Sequence, residues 1–244
     1  MDWVLDAGNT TLRWAAVHAG HIVWQAALPA SECPRLTAVW ARARPPGRLL
    51  VSAVGSADVR LGITAAAREN WGLEPDFLQS PAAGWGVRNG YWEPAELGID
   101  RFSALVAATR RAPAGALVVD VGTAVTMDVL IAGEHRGGYI LPGLELMTDA
   151  LTRGTAKVAQ ARPDPAEGPG CDTDTGVGRG IAHAVIGAVT EVRAHLAGQG
   201  LSGVPCILTG GGAPLVAQRI APPRIQLPGL VLEGLARMAV EPMD

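Results

Sequence analysis

One short pattern occurs twice in this 244-residue chain, and it limits the possible folds more than any other feature. Near the start, Val4-Leu5 runs into Asp6-Ala7-Gly8-Asn9-Thr10, followed by Leu12-Arg13-Trp14-Ala15-Ala16-Val17. In the middle, Leu117-Val118-Val119 runs into Asp120-Val121-Gly122-Thr123-Ala124, followed by Val125-Thr126-Met127-Asp128-Val129-Leu130. Each copy is an apolar strand ending in Asp-x-Gly-(Asn/Thr), then a second strand. Both continue through an Ala-Gly turn, Ala19-Gly20 or Ala132-Gly133, into a third strand. A repeated hairpin with an acidic, glycine-tight turn predicts two similar half-domains that face each other.

The turn residues carry chemistry. Glycine lets the backbone approach a ligand closely, and neighbouring N–H groups and hydroxyls can hold phosphate oxygens. A carboxylate does not bind phosphate directly, so its natural companion is a cation that bridges to one. The pattern therefore suggests a nucleotide phosphotransferase. A plain hairpin turn is the competing reading of either copy alone, and the matching strand contexts of the two copies weigh against it. A Walker-type phosphate loop is excluded, because Lys157 is the only lysine and no G-x-x-x-x-G-K-(S/T) surrounds it. A nucleotide would have to be held by backbone amides, hydroxyls and a metal.

Bulk properties narrow the class further. A net charge of −3 and a pI near 6.0 leave no footprint for nucleic acid or an anionic membrane. No apolar run reaches the length of a membrane span and no signal-peptide layout is present, so a cytoplasmic enzyme is expected. Cys33, Cys171 and Cys206 are far apart and lack C-x-x-C spacing, which indicates neither a disulfide framework nor a zinc site. The histidines are scattered, and His18 and His21 flank a predicted hairpin turn.

Along the chain, the first strand triplet is followed by a predicted helix over 31–43, a strand over 48–53, a helix over 57–71 and a short strand over 75–78. Residues 80–97 are rich in Gly, Pro, Asn and aromatics and read as a long loop, a kind of segment that is more often functional than idle. A helix over 97–111 leads into the second triplet, then a helix over 144–153, a Pro-, Asp- and Gly-rich connector over 162–171, and a long helix over 175–196. A strand over 204–208, Thr209-Gly210-Gly211-Gly212-Ala213 and helices over 215–220 and 230–238 close the chain. Strands alternating with helices after an antiparallel start predict an α/β fold with mixed sheets. The expected halves are residues 1–112, with the first acidic turn and the long loop, and residues 113–244, with the second acidic turn and the glycine turn.

Taken in order, these segments resemble the type III pantothenate kinase family of the acetate kinase–sugar kinase–Hsp70–actin superfamily. Asp6-x-Gly8-Asn9-Thr10 and Asp120-x-Gly122-Thr123-Ala124 resemble the family's two phosphate motifs. Tyr91-Trp92-Glu93-Pro94-Ala95-Glu96-Leu97-Gly98-Ile99-Asp100-Arg101 is similar to its Y-x-x-P-x-x-L-G-x-D-R stretch. Gly137-Gly138-Tyr139-Ile140-Leu141-Pro142-Gly143 resembles G-G-x-I-x-P-G, and Thr209-Gly210-Gly211 the adenosine-side glycine turn. Asp172-Thr173 matches a position whose threonine contacts substrate in the family, with Thr175 as a rival. The chain departs from the family where Lys157-Val158-Ala159 replaces a Leu-Pro, and in the glycine-rich run after Thr173.

The resemblance implies two ribonuclease H-like half-domains, a homodimer, and ATP-dependent phosphorylation of pantothenate to 4′-phosphopantothenate, the first step toward coenzyme A. It places ATP on Asp6, Ala7, Gly8, Asn9, Thr10, Thr11, Leu12, Arg13 and Thr123. Asp6 would act on Mg²⁺ through ATP or water, and Asp120 would hold a monovalent cation, potassium or ammonium. Pantothenate would meet Tyr91, Gly98, Ile99, Asp100, Arg101 and Thr173, with Asp100 as the catalytic residue. Side-chain chemistry agrees: the Arg101 fork suits a carboxylate, and Tyr91 offers an apolar face and a hydroxyl. The residues alone leave other roles open, since Asp100 could be a first-turn acid favourable to the helix dipole. Two other functions remain: a non-catalytic regulatory relative, disfavoured by the intact phosphate turns, and a superfamily kinase or phosphatase acting on a different substrate.

Overall fold

The computed structural model describes residues 1–155, 158 and 161–243. Lys157 and Ala159, part of the departure from the family pattern, lie outside them. The chain divides into two compact units: Met1–Arg111 with Gly133–His135 and Leu230–Asp244, and Ala112–Ala132 with Arg136–Gly229.

In the first unit, β1 (Asp2–Ala7), β2 (Thr11–His18) and β3 (His21–Pro29) form an antiparallel meander. Ala19 and Gly20 take φ of 49° and 78°, the paired positive values whose twist suits a two-residue hairpin. A 3₁₀ turn (Ala30–Arg35) then leads into α1 (Leu36–Trp40), where the sequence predicted one helix. Pro34 lies inside the turn and lacks an N–H, which favours a tight 3₁₀ start. β4 (Leu49–Ala53) pairs in parallel with β1, and β5 (Asp76–Phe77) in parallel with β4. Between them α2 (Ala57–Trp71) stops at Gly72, whose φ of 64° provides a left-handed cap. The sheet order is β3-β2-β1-β4-β5, so β1 is central and its nearly unbroken apolar sequence is covered on both faces.

The long loop carries a small antiparallel ribbon, β6 (Ala83–Gly84) with β7 (Val87–Arg88), and a 3₁₀ turn at Pro94–Glu96. It ends in α3 (Ile99–Arg111). Beneath the meander, Trp3, Trp14 and Trp40 are buried with Leu5, Leu36 and Ile63. Trp40 stacks on Trp71 at 4.9 Å, while Trp3 meets Trp71 edge-on at 5.0 Å. Among the described residues the buried indole N–H groups of Trp3, Trp14, Trp40 and Trp71 have no hydrogen-bond acceptor.

The second unit repeats the design. β8 (Gly115–Val121), β9 (Ala124–Ile131) and β10 (Glu134–Pro142, whose first two residues belong to the first unit) form the triplet. The turn at Ala132 and Gly133 again has two positive φ values, 50° and 81°. After α4 (Leu144–Gly154) and α5 (Thr173–Gly198) come β11 (Cys206–Thr209), α6 (Ala213–Ala217) and β12 (Arg224–Gln226). β11 pairs in parallel with β8, and β12 in parallel with β11. The order β10-β9-β8-β11-β12 therefore matches β3-β2-β1-β4-β5 strand for strand. One face of α5 (Ile181, Val185, Val189, Val192 and Leu196) is buried in this unit's core.

The closing helix, α7 (Leu230–Met238), corrects the expected division. The sequence placed it in the second half, but it clusters with the first unit. Packing explains this: Leu230, Leu232, Leu235 and Ala236 are buried. Gly234 also presses so closely on α3 that an added Cβ would lie 2.5 Å from the Ser103 carbonyl carbon.

Candidate functional site

The first acidic turn is built where β1 ends. Gly8 N donates to Thr11 O at 3.1 Å, which leaves Asn9 and Thr10 exposed at the tip. Asp6 is 7 % exposed, and Ser52 Oγ on neighbouring β4 donates to its Oδ1 at 3.4 Å. Ala7 and Leu12 are wholly buried, so of the residues expected at ATP these two can offer only main chain. Thr11 is half-buried, and Arg13, opposite Asp6 in the register, is exposed. Val54 N donates to Ala7 O at 3.3 Å, which closes the end of β4 onto this turn.

Val54 also links the turn to the expected catalytic residue. An ideal Cβ on Gly98 would lie 3.6 Å from Val54 Cγ1, and it would overlap the Asp100 carboxylate. Any side chain at 98 would thus displace Asp100, whose Oδ1 accepts from Arg101 N at 2.8 Å in the first turn of α3. Ile99 is buried beneath, its carbonyl accepting from Ser103 Oγ. Arg101 is not a surface arginine: it is 7 % exposed, and its Nη1 donates to Tyr91 Oη at 2.8 Å.

The loop around Tyr91 is fixed by a residue the sequence reading passed over. Buried Asn89 donates through Nδ2 to Pro81 O and Pro94 O, and its Oδ1 accepts from Tyr91 N at 3.0 Å. His135 was missed as well: it is 3 % exposed and its ring lies 5.7 Å from that of Tyr91, nearly parallel at 19°. No spacing rule could have joined residues 44 positions apart. Trp85 and Trp92 share the loop but differ: Trp85 Nε1 is tied to Glu241 O, and Trp92 is fully exposed.

The second acidic turn closes one residue sooner than the first and is met by three further glycines, Gly143, Gly210 and Gly212. Gly122 N donates to Ala124 O at 3.0 Å, and Gly143 N, just before α4, donates to Thr123 O at 2.9 Å. Asp120 lies beside Thr209 in the parallel register. From there Gly210 (φ 88°) doubles back, and a Cβ on it would overlap the Asp120 carboxylate and lie 2.6 Å from Val121 O. Gly212 N donates to Val121 O at 2.9 Å. Asp120, Val121, Thr123 and the glycine turn are thus brought together at the carboxyl end of β8. The donors here are carboxylate, carbonyl and hydroxyl oxygens, a set that suits a hard cation. Among the described residues no group of three or more His, Cys, Asp or Glu could hold a metal ion.

At the start of α5 the two rival threonines part. Asp172 caps the helix: its carboxylate accepts from Thr175 N at 2.9 Å, and Thr175 Oγ1 bonds back to the Asp172 main chain. These bonds hold the Asp172 carboxyl below its ordinary range, the Thr175 amide contributing most. Thr175 is committed to this box, whereas Thr173 is the exposed first residue of the helix. The helix starts two residues earlier than expected because Asp172 supplies the cap. Arg179 holds the preceding connector, bonding Asp164 and the Pro169 carbonyl.

Two sheets of one strand order in a single chain, each with an acidic glycine turn after its first strand, define a duplicated α/β fold with mixed sheets. Relatives make the class specific. The chain belongs to the type III pantothenate kinase family, whose match covers residues 3–195. It is 37 % identical to the type III pantothenate kinase of Halorhodospira halophila over 96 % of both chains, and 36 % identical to that of Alkalilimnicola ehrlichii over 98 % of this chain and 97 % of the other. A solved structure described as a Baf family transcriptional activator, from Campylobacter jejuni, shares the fold. Its TM-score is 0.65 at 15 % identity, covering 97 % of this chain and 96 % of that one.

Proposed function

We propose that this protein transfers the terminal phosphoryl group of ATP to the primary hydroxyl of pantothenate, giving 4′-phosphopantothenate and ADP. The observation that carries this reading is the hydrogen-bonded pair of buried Arg101 and half-buried Tyr91 beside Asp100 at the start of α3. A guanidinium has five donors and matches a carboxylate with its fork, while the Tyr91 ring supplies an apolar surface. Pantothenate has a carboxylate at one end and a gem-dimethyl group near the reacting alcohol. Asp100 orients that alcohol and receives its proton as the oxygen attacks phosphorus and the bond to the bridging β–γ oxygen breaks. Transfer of this kind depends on in-line placement and charge neutralisation more than on covalent help.

The tip of the Gly8–Thr11 turn cradles the phosphates with the amides and side chains of Asn9 and Thr10. Mg²⁺, when bound, neutralises phosphate charge, with Asp6 facing it directly or through water. Asp120 and the neighbouring carbonyl oxygens would hold potassium or ammonium, Thr123 bonds ATP, and Thr173 contacts pantothenate. Family membership supports a cytoplasmic homodimer. Tyr139, Ile140, Leu146 and Leu151 support the dimer too, since they leave apolar surface exposed on β10 and α4. Among the described residues no helix is long and apolar enough to cross a membrane.

The test is ADP formation with pantothenate as acceptor, run in potassium, ammonium and sodium buffers. The reading expects pantothenate-dependent turnover that is strong with potassium or ammonium and weak with sodium. Turnover independent of pantothenate would remove the substrate assignment, and full activity in sodium would remove the role of Asp120.

A further inference from the structure

Gly133–His135 are the residues of the β9–β10 hairpin that cluster with the first unit, and their contacts there fall on the loop carrying Tyr91. Arg88 N donates to Gly133 O at 2.8 Å, and the Arg88 guanidinium pairs with Glu134 at 3.1 Å. That ion pair is exposed and adds little. His135 is different, because it is buried, lies nearly parallel against the Tyr91 ring, and takes the Gly90 N–H on its Nδ1 at 3.4 Å. It therefore holds both the ring of Tyr91 and the main chain just before it. Tyr91 Oη in turn accepts from Arg101 Nη1, with the guanidinium carbon 5.5 Å from the ring centre.

We propose that His135 is a positioning residue for the acid end of the substrate, acting as a plate that sets the tilt of Tyr91 and, through its hydroxyl, the direction of the Arg101 fork. The proposal rests on the assignment of Tyr91 and Arg101 to pantothenate. Tyr91 lies in neither helix nor strand, so regular backbone structure does not fix its ring. Asn89 anchors its amide, which leaves the ring direction to side-chain contacts. A binding group needs to be held within about 0.5 Å of its productive place, and the hydroxyl, at the far end of the ring, is the atom most displaced by a change of tilt.

The experiment measures KM for pantothenate and for ATP, with kcat, in His135→Ala, His135→Phe, His135→Gln, Tyr91→Ala, the His135→Ala/Tyr91→Ala double variant and Arg101→Ala. His135→Ala is expected to raise the pantothenate KM about three- to tenfold, the worth of one ring–ring contact, with KM for ATP and kcat little changed. His135→Phe, which keeps a plate, should restore most of the affinity, and His135→Gln should not. In Tyr91→Ala, removing His135 should add nothing, since both act through one ring. Additive effects, or a pantothenate KM unaltered in folded His135→Ala, overturn the proposal. If His135→Ala fails to fold, equal KM values in the Phe and Gln variants overturn it instead. A raised pantothenate KM in Arg101→Ala without one in the His135 variants removes His135 alone. An unchanged KM in Arg101→Ala removes the substrate assignment and this proposal with it.

Discussion

The Asp100 carboxylate does two things that a simple helix-start acid need not do together. It accepts its neighbour's amide, and it occupies space that a side chain at Gly98 would fill. In the proposed reaction, Asp100→Asn keeps the shape but cannot take a proton. Binding of both substrates should survive while kcat falls by roughly 10²–10⁴-fold, the range for a fully engaged general base. A few-fold loss would point to orientation in a loose transition state, and unchanged kcat in a folded variant would remove Asp100 from the mechanism. Arg101→Ala should act on pantothenate alone, raising its KM by the equivalent of about 1.5–3 kcal/mol, the worth of a charged hydrogen bond. A loss of ATP affinity instead would move Arg101 to the nucleotide side. Sequence could mark Asp100 and Arg101 because they stand in one continuous stretch with Tyr91. It could not mark Ser52, Asn89 or His135, whose roles arise only when β4, the long loop and the β10 hairpin reach their partners.

At the level of elements, the glycine turn after β11 is the tightest constraint on Asp120. Gly210→Ala combines an unfavourable positive φ, on the order of 1–2 kcal/mol, with overlap on the Asp120 carboxylate and Val121 O. If Asp120 holds potassium as proposed, the variant should need markedly more potassium for half-maximal activity, which a potassium titration at saturating ATP would read; an unaltered titration would detach this turn from the proposed cation. The start of α5 makes a prediction in pH. The folded Asp172 carboxyl sits below its ordinary 3.8, so its contribution to stability is complete above that value and is lost as pH falls through the lowered one. Exchange of the Thr175 amide should accelerate relative to the rest of α5 on acidification, and Asp172→Ala should abolish that difference. Strands, Ala-Gly turns and most helices were legible from apolar periodicity and glycine placement. The boundaries that shifted did so for local reasons: Pro34 tightened the first helix, and Asp172 capped α5 earlier than the glycines after it suggested.

For the molecule as a whole, the repeat visible in the sequence became a repeat of complete sheets, because each triplet recruits two parallel strands on the same side of its first strand. Sequence order could not place α7. Its almost all-round apolar character says that it is buried, but only the fit of Gly234 against Ser103 says where. In the proposed dimer, a charge at Ile140, which is 60 % exposed, should shift the protein toward monomer in sedimentation at micromolar concentration. An unaltered mass would place the contact elsewhere. The indole cluster has a consequence of another kind. All seven tryptophans fall between residues 3 and 92, within the first unit, so the second unit contributes no tryptophan emission. Fluorescence during denaturation therefore follows one unit, while far-ultraviolet circular dichroism follows both. Curves that coincide would mean the two units melt as one cooperative body, and curves that separate would give each its own midpoint.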